Sequence, residues 1–231
     1  MKNMKDICFV VQARLSSQRI PRKMIRSFAG TNLTDIAIKK ILQSKLIPKE
    51  NFYLSVFEPE LVEVGKRNNV NIFYRSKESA IWDGGSDAKL GKMYEWWDKL
   101  PYKYCVLISA CNPFLSVDTI DQFVDSYLNS NSDGMFAVIK KKNYFWDKDF
   151  KFITPWPAGE PCMNTKVVEV THEAAHCLYA GRLDTIGDGV WMGDFQKSGD
   201  IELFPVSEKE SLDIDYPWQF DFCEAAYKSG I

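Results

Sequence analysis

The sequence predicts an α/β fold, a doubly wound, mostly parallel sheet of Rossmann-like type. Three observations carry this. Apolar runs of about five to eight residues alternate with longer amphipathic segments through the first 140 residues. A strand–helix–strand order needs crossover connections, which put helices on both faces of a parallel sheet. A hydrophobic content of 45%, with 14% aromatic residues, supplies the apolar mass for the layers between.

Each element follows in order. "ICFVVQA" (7–13) is the first strand, and "LTDIAIKKILQSK" (33–45) has helical spacing at Leu33, Ile36, Ile38 and Ile41. "NFYLSVF" (51–57) is a strand, "PELVEVGKRNN" (59–69) a helix and "VNIFY" (70–74) a strand. "AKLGKMYEWWDKL" (88–100) reads as a helix carrying Trp96 and Trp97 into the core, and "KYCVLISA" (103–110) as a strand. "SVDTIDQFVDSYL" is a helix with Ser116 as its N-cap, and "GMFAVI" (134–139) a strand. From about 140 to 199 the rhythm breaks into the aromatic, Pro-rich "NYFWDKDFKFITPWPAGEPCMNTK", read as an arm inserted in a single domain spanning 1–231. The pattern resumes with strand "IELFPV", the strand-like "LDID" and a closing helix "PWQFDFCEAAYK", with Pro217 suited to its first turn.

Bulk properties narrow the function. A formal net charge of -2 gives no general attraction to nucleic acid or anionic membrane. The N-terminal apolar run Ile7–Val11 is interrupted at once by Arg14, too short for a signal core or a membrane span. Six cysteines without a CxxC pair predict reduced thiols, and the chain reads as cytoplasmic.

One stretch departs from the average charge. Between Ile7 and Thr34 there is no acidic residue, while Arg14, Arg19, Arg22, Lys23 and Arg26 crowd together. In a doubly wound sheet ligands bind beyond the carboxyl ends of the strands, where this loop leaves the first strand. Hydroxyls and backbone amides of "LSS" with fixed cations around Pro21 suit a polyphosphate; a solvated cationic turn is the plain alternative.

"QARLSSQRIPRK" followed by "FAGTNLTDIAIKKI" resembles the N-terminal signature of the CMP-sugar synthetases, the cytidylyltransferases that activate acylneuraminate, 3-deoxy-manno-octulosonate (Kdo) and related sugar acids with CTP. The likeness continues at "FYRSKES", "SACNPFLSVDTID" and "LDIDYPWQFDFCEAA", sparing the arm. It implies a Rossmann-like nucleotidyltransferase in which Arg14, Ser17 and Lys23 contact the CTP phosphates. The backbone at Ala13 and Arg14 would hold cytosine and ribose, with Arg75 near the base and the segment containing Ser86 and Asp87 lining the pocket. Asn112, counted with the nucleotide-binding set, stands where the Kdo branch carries an acid; the Arg-Arg-Gln run of the sialic-acid branch is missing, so the acceptor stays open.

Asp213 and Asp215, two apart on an extended segment, leave the same face. Such a pair suits Mg²⁺, or caps the last helix; the resemblance implies the metal, as cofactor for the triphosphate. Arg14, Lys23, Asp213 and Asp215 then form the catalytic set, and no side-chain nucleophile is needed.

The two histidines form "HEAAH", His172 to His176, which matches the zinc-peptidase HExxH pattern. The continuation "CLYAGRLDTIGDGV" lacks a third histidine. Packing of Ala174, Ala175 and Leu178, in a helix or a strand, is the main alternative, with His172 or His176 touching the acceptor next. Trp146 and Trp156 make the arm a candidate substrate wall, and the resemblance implies a homodimer of crossed arms.

Overall fold

A computed structural model describes residues 1–81 and 89–230. The first strand, β1 (Ile7–Gln12), is apolar on both faces, which only a central position in a sheet can bury. It pairs in parallel with β2 (Phe52–Val56) on one side and β4 (Tyr104–Ile108) on the other, while β3 (Asn71–Tyr74) extends the sheet beyond β2. Between them run α1 (Leu33–Gln43), α2 (Pro59–Arg67), the short α3 (Lys77–Ile81) and the single turn α4 (Leu90–Met93).

After α5 (Val117–Asn129) come β5 (Gly134–Lys141), β6 (Thr171–Arg182), the turn α6 (Asp184–Gly187), β7 (Ile201–Val206) and α7 (Pro217–Lys228). The described residues form a seven-stranded sheet in the order β3-β2-β1-β4-β6-β5-β7. Four of its six pairings are parallel; both antiparallel ones involve β6, which lies between β4 and β5. This is the mostly parallel α/β sheet expected, with one correction. Residues 171–182, read as part of the arm, are an interior strand.

The two sheet faces bury different layers. Ile7, Phe9 and Val11 point toward α1, α2, α5 and α7, where Ile38, Leu61, Phe123 and Phe220 are fully buried or nearly so. Cys8 and Val10 face the opposite way, onto Tyr94, Trp96, Leu183, Ile186 and Met192. Burying each such side chain contributes about 1.5–3 kcal/mol. The helix α5 starts as expected: the Ser116 hydroxyl accepts from the Thr119 amide at 3.1 Å. Pro217 stands in the first turn of α7.

Three further expectations change. The helix predicted over 88–100 is one turn, α4, and the following residues fold as turns. Trp96 is nevertheless fully buried, and its Nε1 donates to Gln12 Oε1 at 2.9 Å. "LDID" lies in the connection from β7 to α7, outside the sheet. Of the two readings of HEAAH, helix or strand, it takes the strand, at the start of β6. Its Ala175 and Leu178 are buried, but Ala174 is exposed. The arm proper, 142–170, builds a small aromatic cluster of its own, with Phe152 against Tyr144, Trp146 and Trp156 at 5.1 to 5.9 Å between ring centres. Among the described residues, no helix is long and apolar enough to cross a membrane.

Candidate functional site

The carboxyl ends of β1 and β4, with Arg75 directly after β3, open into a cavity of about 680 Å³, within the range of small-molecule sites. The chain enters it at Ala13, whose amide donates to Ser55 O at 3.1 Å, and the loop is then pinned from outside. Leu15 N donates to Glu58 Oε1 at 2.8 Å, Ser16 Oγ to Ala80 O at 3.1 Å, and Ile20 N to Ser17 Oγ at 3.3 Å. Arg22 adopts φ 57°, a left-handed kink that turns the chain back toward Lys23. The cationic stretch is thus a fixed wall rather than a loose turn.

Three guanidinium groups line the cavity, those of Arg14, Arg19 and Arg75, and Lys23 adds a fourth cation. Arg75 is buried, donates through Nη2 to the Ser79 carbonyl, and leaves Nε without a partner. Burial, and then repulsion by Arg14, push its pKa down to about 10. A cation held at that cost favours an anion beside it.

The fourth cation, Lys23, is buried and donates to the Ile214 carbonyl, with Asp215 at 3.5 Å. Burial works to lower its pKa, but Cys111, Asp213 and Asp215 outweigh that and the net shift is upward. Asp215 also receives Arg19 Nη2 at 2.8 Å. Asp213 differs: its Oδ1 is buried with no hydrogen-bond partner, and burial, then the charge of Asp215, raise its pKa. Two carboxylates, one with an orphaned oxygen, are a donor set that a hydrated divalent cation fits.

His176 reaches the same cavity by a break in β6. Opposite the two steps from Phe136 to Val138, β6 takes five, from Ala174 to Tyr179, so it carries three extra residues (5 − 2). His176 lies in this bulge at φ 51°, a region non-glycine residues rarely occupy and one common at functional sites. Its Nδ1 shares a hydrogen bond of 3.0 Å with the Tyr179 hydroxyl.

The structure therefore gathers Ala13, Arg14, Ser17, Lys23, Arg75, His176 and Asp215 around one space, with Asp213 adjoining. It separates three others from it. His172 is exposed beside Lys140 of β5, so the two imidazoles of HEAAH do not converge as a helical zinc pair would. Trp156 lies in the arm's aromatic cluster, its Nε1 donating to Glu160 O at 2.8 Å. Asn112, only 2% exposed, turns its amide onto Ser211 O at 2.9 Å; it braces the carboxylate loop instead of lining the cavity. Ser86 and Asp87 fall outside the described residues.

Several wall residues escaped the sequence reading. Gln12, Tyr94, Cys111 and Tyr179 all line the cavity. Gln12 could have been found, as a polar residue ending an otherwise apolar strand; the others look like core.

A cationic loop after the first strand, facing carboxylates at the carboxyl edge of a doubly wound sheet, defines an α/β protein of the nucleotide-binding class. The solved structures agree in fold. CMP:2-keto-3-deoxy-manno-octonic acid synthetase complexed with CTP superposes with a TM-score of 0.69 at 11% identity, over 97% of this chain and 99% of that one. A 4-diphosphocytidyl-2C-methyl-D-erythritol synthase from Anaerococcus prevotii gives 0.64 at 13% identity, covering 96% of each chain. The family model for cytidylyltransferases matches residues 8–176, and the chain belongs to that family.

Among curated relatives, the spore coat polysaccharide biosynthesis protein SpsF of Bacillus subtilis is 22% identical over 56% of this chain and 53% of its own length. Pseudaminic acid cytidylyltransferase of Campylobacter jejuni is 28% identical over 58% of each. The chain thus spans somewhat over half the length of the curated relatives it matches.

Proposed function

We propose that this chain transfers CMP from CTP to an acidic sugar and releases pyrophosphate. One observation carries the reading: Arg14, Lys23 and Arg75 meet a carboxylate loop across a single cavity of nucleotide size. Family membership, and relatives named for pseudaminic acid and Kdo, support it and favour a sialic-acid-like or Kdo-like acceptor.

In this reading Arg14 and Lys23 bind the phosphates. An acceptor hydroxyl oxygen attacks the α-phosphorus in line, the bond from that phosphorus to the bridging oxygen breaks, and the electron pair leaves with pyrophosphate. The hydroxyl proton departs to solvent or to a neighbouring base. Lys23 is fixed by the Ile214 carbonyl before the charge develops, so little reorganisation is needed when it does. Arg19 and Arg75 add positive potential at the rim and at the back. His176, oriented by Tyr179, is the side chain suited to hold the acceptor. Asp213 and Asp215 would hold Mg²⁺, which when bound neutralises triphosphate charge and polarises its oxygens.

The proposal extends to a homodimer. Trp146 and Trp156 are each 47% exposed and Phe150 89%, an apolar surface that a second copy's arm would cover. Six free thiols fit the reducing cytoplasm.

The test is pyrophosphate release with CTP and Mg²⁺ across a panel of acidic sugars that includes pseudaminic acid, sialic acid and Kdo. Release with one acid and CTP, and not with ATP or GTP, is expected. No release with any acid, or equal use of purine nucleotides, overturns it.

A further inference from the structure

The loop that carries Asp213 and Asp215 has no strand or helix of its own to hold it. Its position comes from the turn after β4. Asn112 Nδ2 donates to Ser211 O at 2.9 Å, and Ile214 N donates to Cys111 O at 3.1 Å. Residues 111–112 therefore hold the stretch from Ser211 to Ile214, while Gln219 Oε1 accepts from Asp215 N at 2.7 Å at the far end of the loop. Two side chains hold the turn itself: Ser109 Oγ accepts from Cys111 N at 3.1 Å, and Lys40, in the last turn of α1, reaches the turn from behind. Lys40 Nζ donates to the carbonyls of Asn112 at 3.2 Å and Pro113 at 2.5 Å. It lies behind the turn and does not line the cavity.

We propose that Lys40 is a positioning residue for the carboxylate pair: its ammonium, bridging the Asn112 and Pro113 carbonyls, locks the turn from which the Ser211–Asp215 loop hangs. The chain of contacts runs Lys40, Asn112, Ser211, Asp213, and from Ile214 on to Lys23, so one amine on α1 helps fix the spacing of a cation and two carboxylates across the cavity.

Lys40 is an expensive clamp. Burial drives its pKa down to about 7, and only Glu210 pulls the other way. A solvated lysine pays no such penalty, and for stability alone an apolar side chain would serve. What an apolar side chain cannot do is donate to two carbonyls at once. A donor is what the turn requires.

The inference rests on the proposed metal role of Asp213 and Asp215, and the experiment separates the two. Lys40→Met and Lys40→Gln are compared with the unaltered chain for Mn²⁺ binding, followed by the loss of the free-ion EPR signal, and for amide exchange of the peptide containing 211–215. Lys40→Met is expected to weaken Mn²⁺ binding about tenfold and to speed exchange at Ile214. Lys40→Gln, which keeps a neutral donor, should recover much of both. In turnover, Lys40→Met should lower kcat more than it raises the KM for CTP, since Arg14 and Arg75 stand outside the chain of contacts and only Lys23 is reached through Ile214. Unaltered exchange and unaltered Mn²⁺ affinity in both variants overturn the inference, even if the melting temperature falls. If the unaltered chain binds no Mn²⁺, the metal reading fails instead, and exchange at Ile214 alone decides the role of Lys40. Should Lys40→Met fail to fold, Lys40→Gln against the unaltered chain decides the matter in the same way.

Discussion

The cationic loop after β1 and the aromatic arm after β5 are both irregular segments of similar length, and they are built in opposite ways. The loop sends hydrogen bonds outward at Ala13, Leu15 and Ser16, into β2, Glu58 and α3, so the sheet holds its shape. The arm bonds mostly to itself: Phe145 N donates to Thr154 Oγ1 at 2.7 Å, and Asn164 N to the Tyr144 hydroxyl at 2.8 Å. One segment is a fixed charge template. The other is a self-contained apolar surface whose large side chains still face water. Under the proposed function, nucleotide chemistry, which needs preorganised charge, falls to the first segment, and contact with a second copy to the second.

The largest expected effect falls on the template. Asp215→Asn should keep the fold and cut kcat by about 10²-fold or more, measured as pyrophosphate release, because it removes charge without changing volume. Near-normal turnover would leave Asp215 as a mere partner of Arg19.

The two histidines sharpen the boundary between the regions. His176→Ala should lower kcat/KM for the acceptor about tenfold with the KM for CTP unchanged, as loss of one hydrogen bond to a charged substrate predicts. His172→Ala, on the exposed side, should change neither parameter by as much as twofold. Equal losses in both would make HEAAH a unit after all.

The arm should fail separately from the template. Trp146→Ala with Trp156→Ala is expected to shift the sedimenting species from two chains to one while CTP affinity, by calorimetry, stays within about twofold. A joint loss of dimer and CTP binding would join the two regions.

The smallest effect is on stability. The folded pKa of Asp213 is raised by burial, so its protonated form is favoured in the native state and its contribution falls as pH rises from the unfolded value toward the folded one. Asp213→Asn relieves that cost, and should raise Tm by about 2–4 °C at pH 7, with a smaller gain at pH 4. A lower Tm at pH 7 would mean that the orphaned oxygen is stabilised by something else.

Much of this contrast was legible in the residues. The strands 7–13, 51–57 and 103–110 declare themselves because both faces are apolar, and the cationic loop because no acid interrupts it. β6 did not, since its first half alternates nothing clearly and its partners β4 and β5 lie more than thirty residues away along the chain. Period alone cannot report a long-range pairing. The short α4 misled for a related reason: Trp96 and Trp97 look like one face of a helix, but glycines at 91 and 187 let Trp97 wedge between turns instead. Asn112 joins the nucleotide set only through the family resemblance, standing where the Kdo branch carries an acid; nothing local reveals that its amide points to Ser211.

The three extra residues of β6 have a genetic consequence. Pairing before Ala174 is out of step with pairing after Leu178, and the register of the inner half of the strand is set by β4 together with Met135 and Phe136 of β5. A change of length in the arm or before the bulge disturbs the outer pairs of β6 with β5, Thr171 to Ala174, and is absorbed at the bulge before it reaches β4. Changes of length between residue 142 and about 173 can therefore be taken up without shifting the register of β6 against β4.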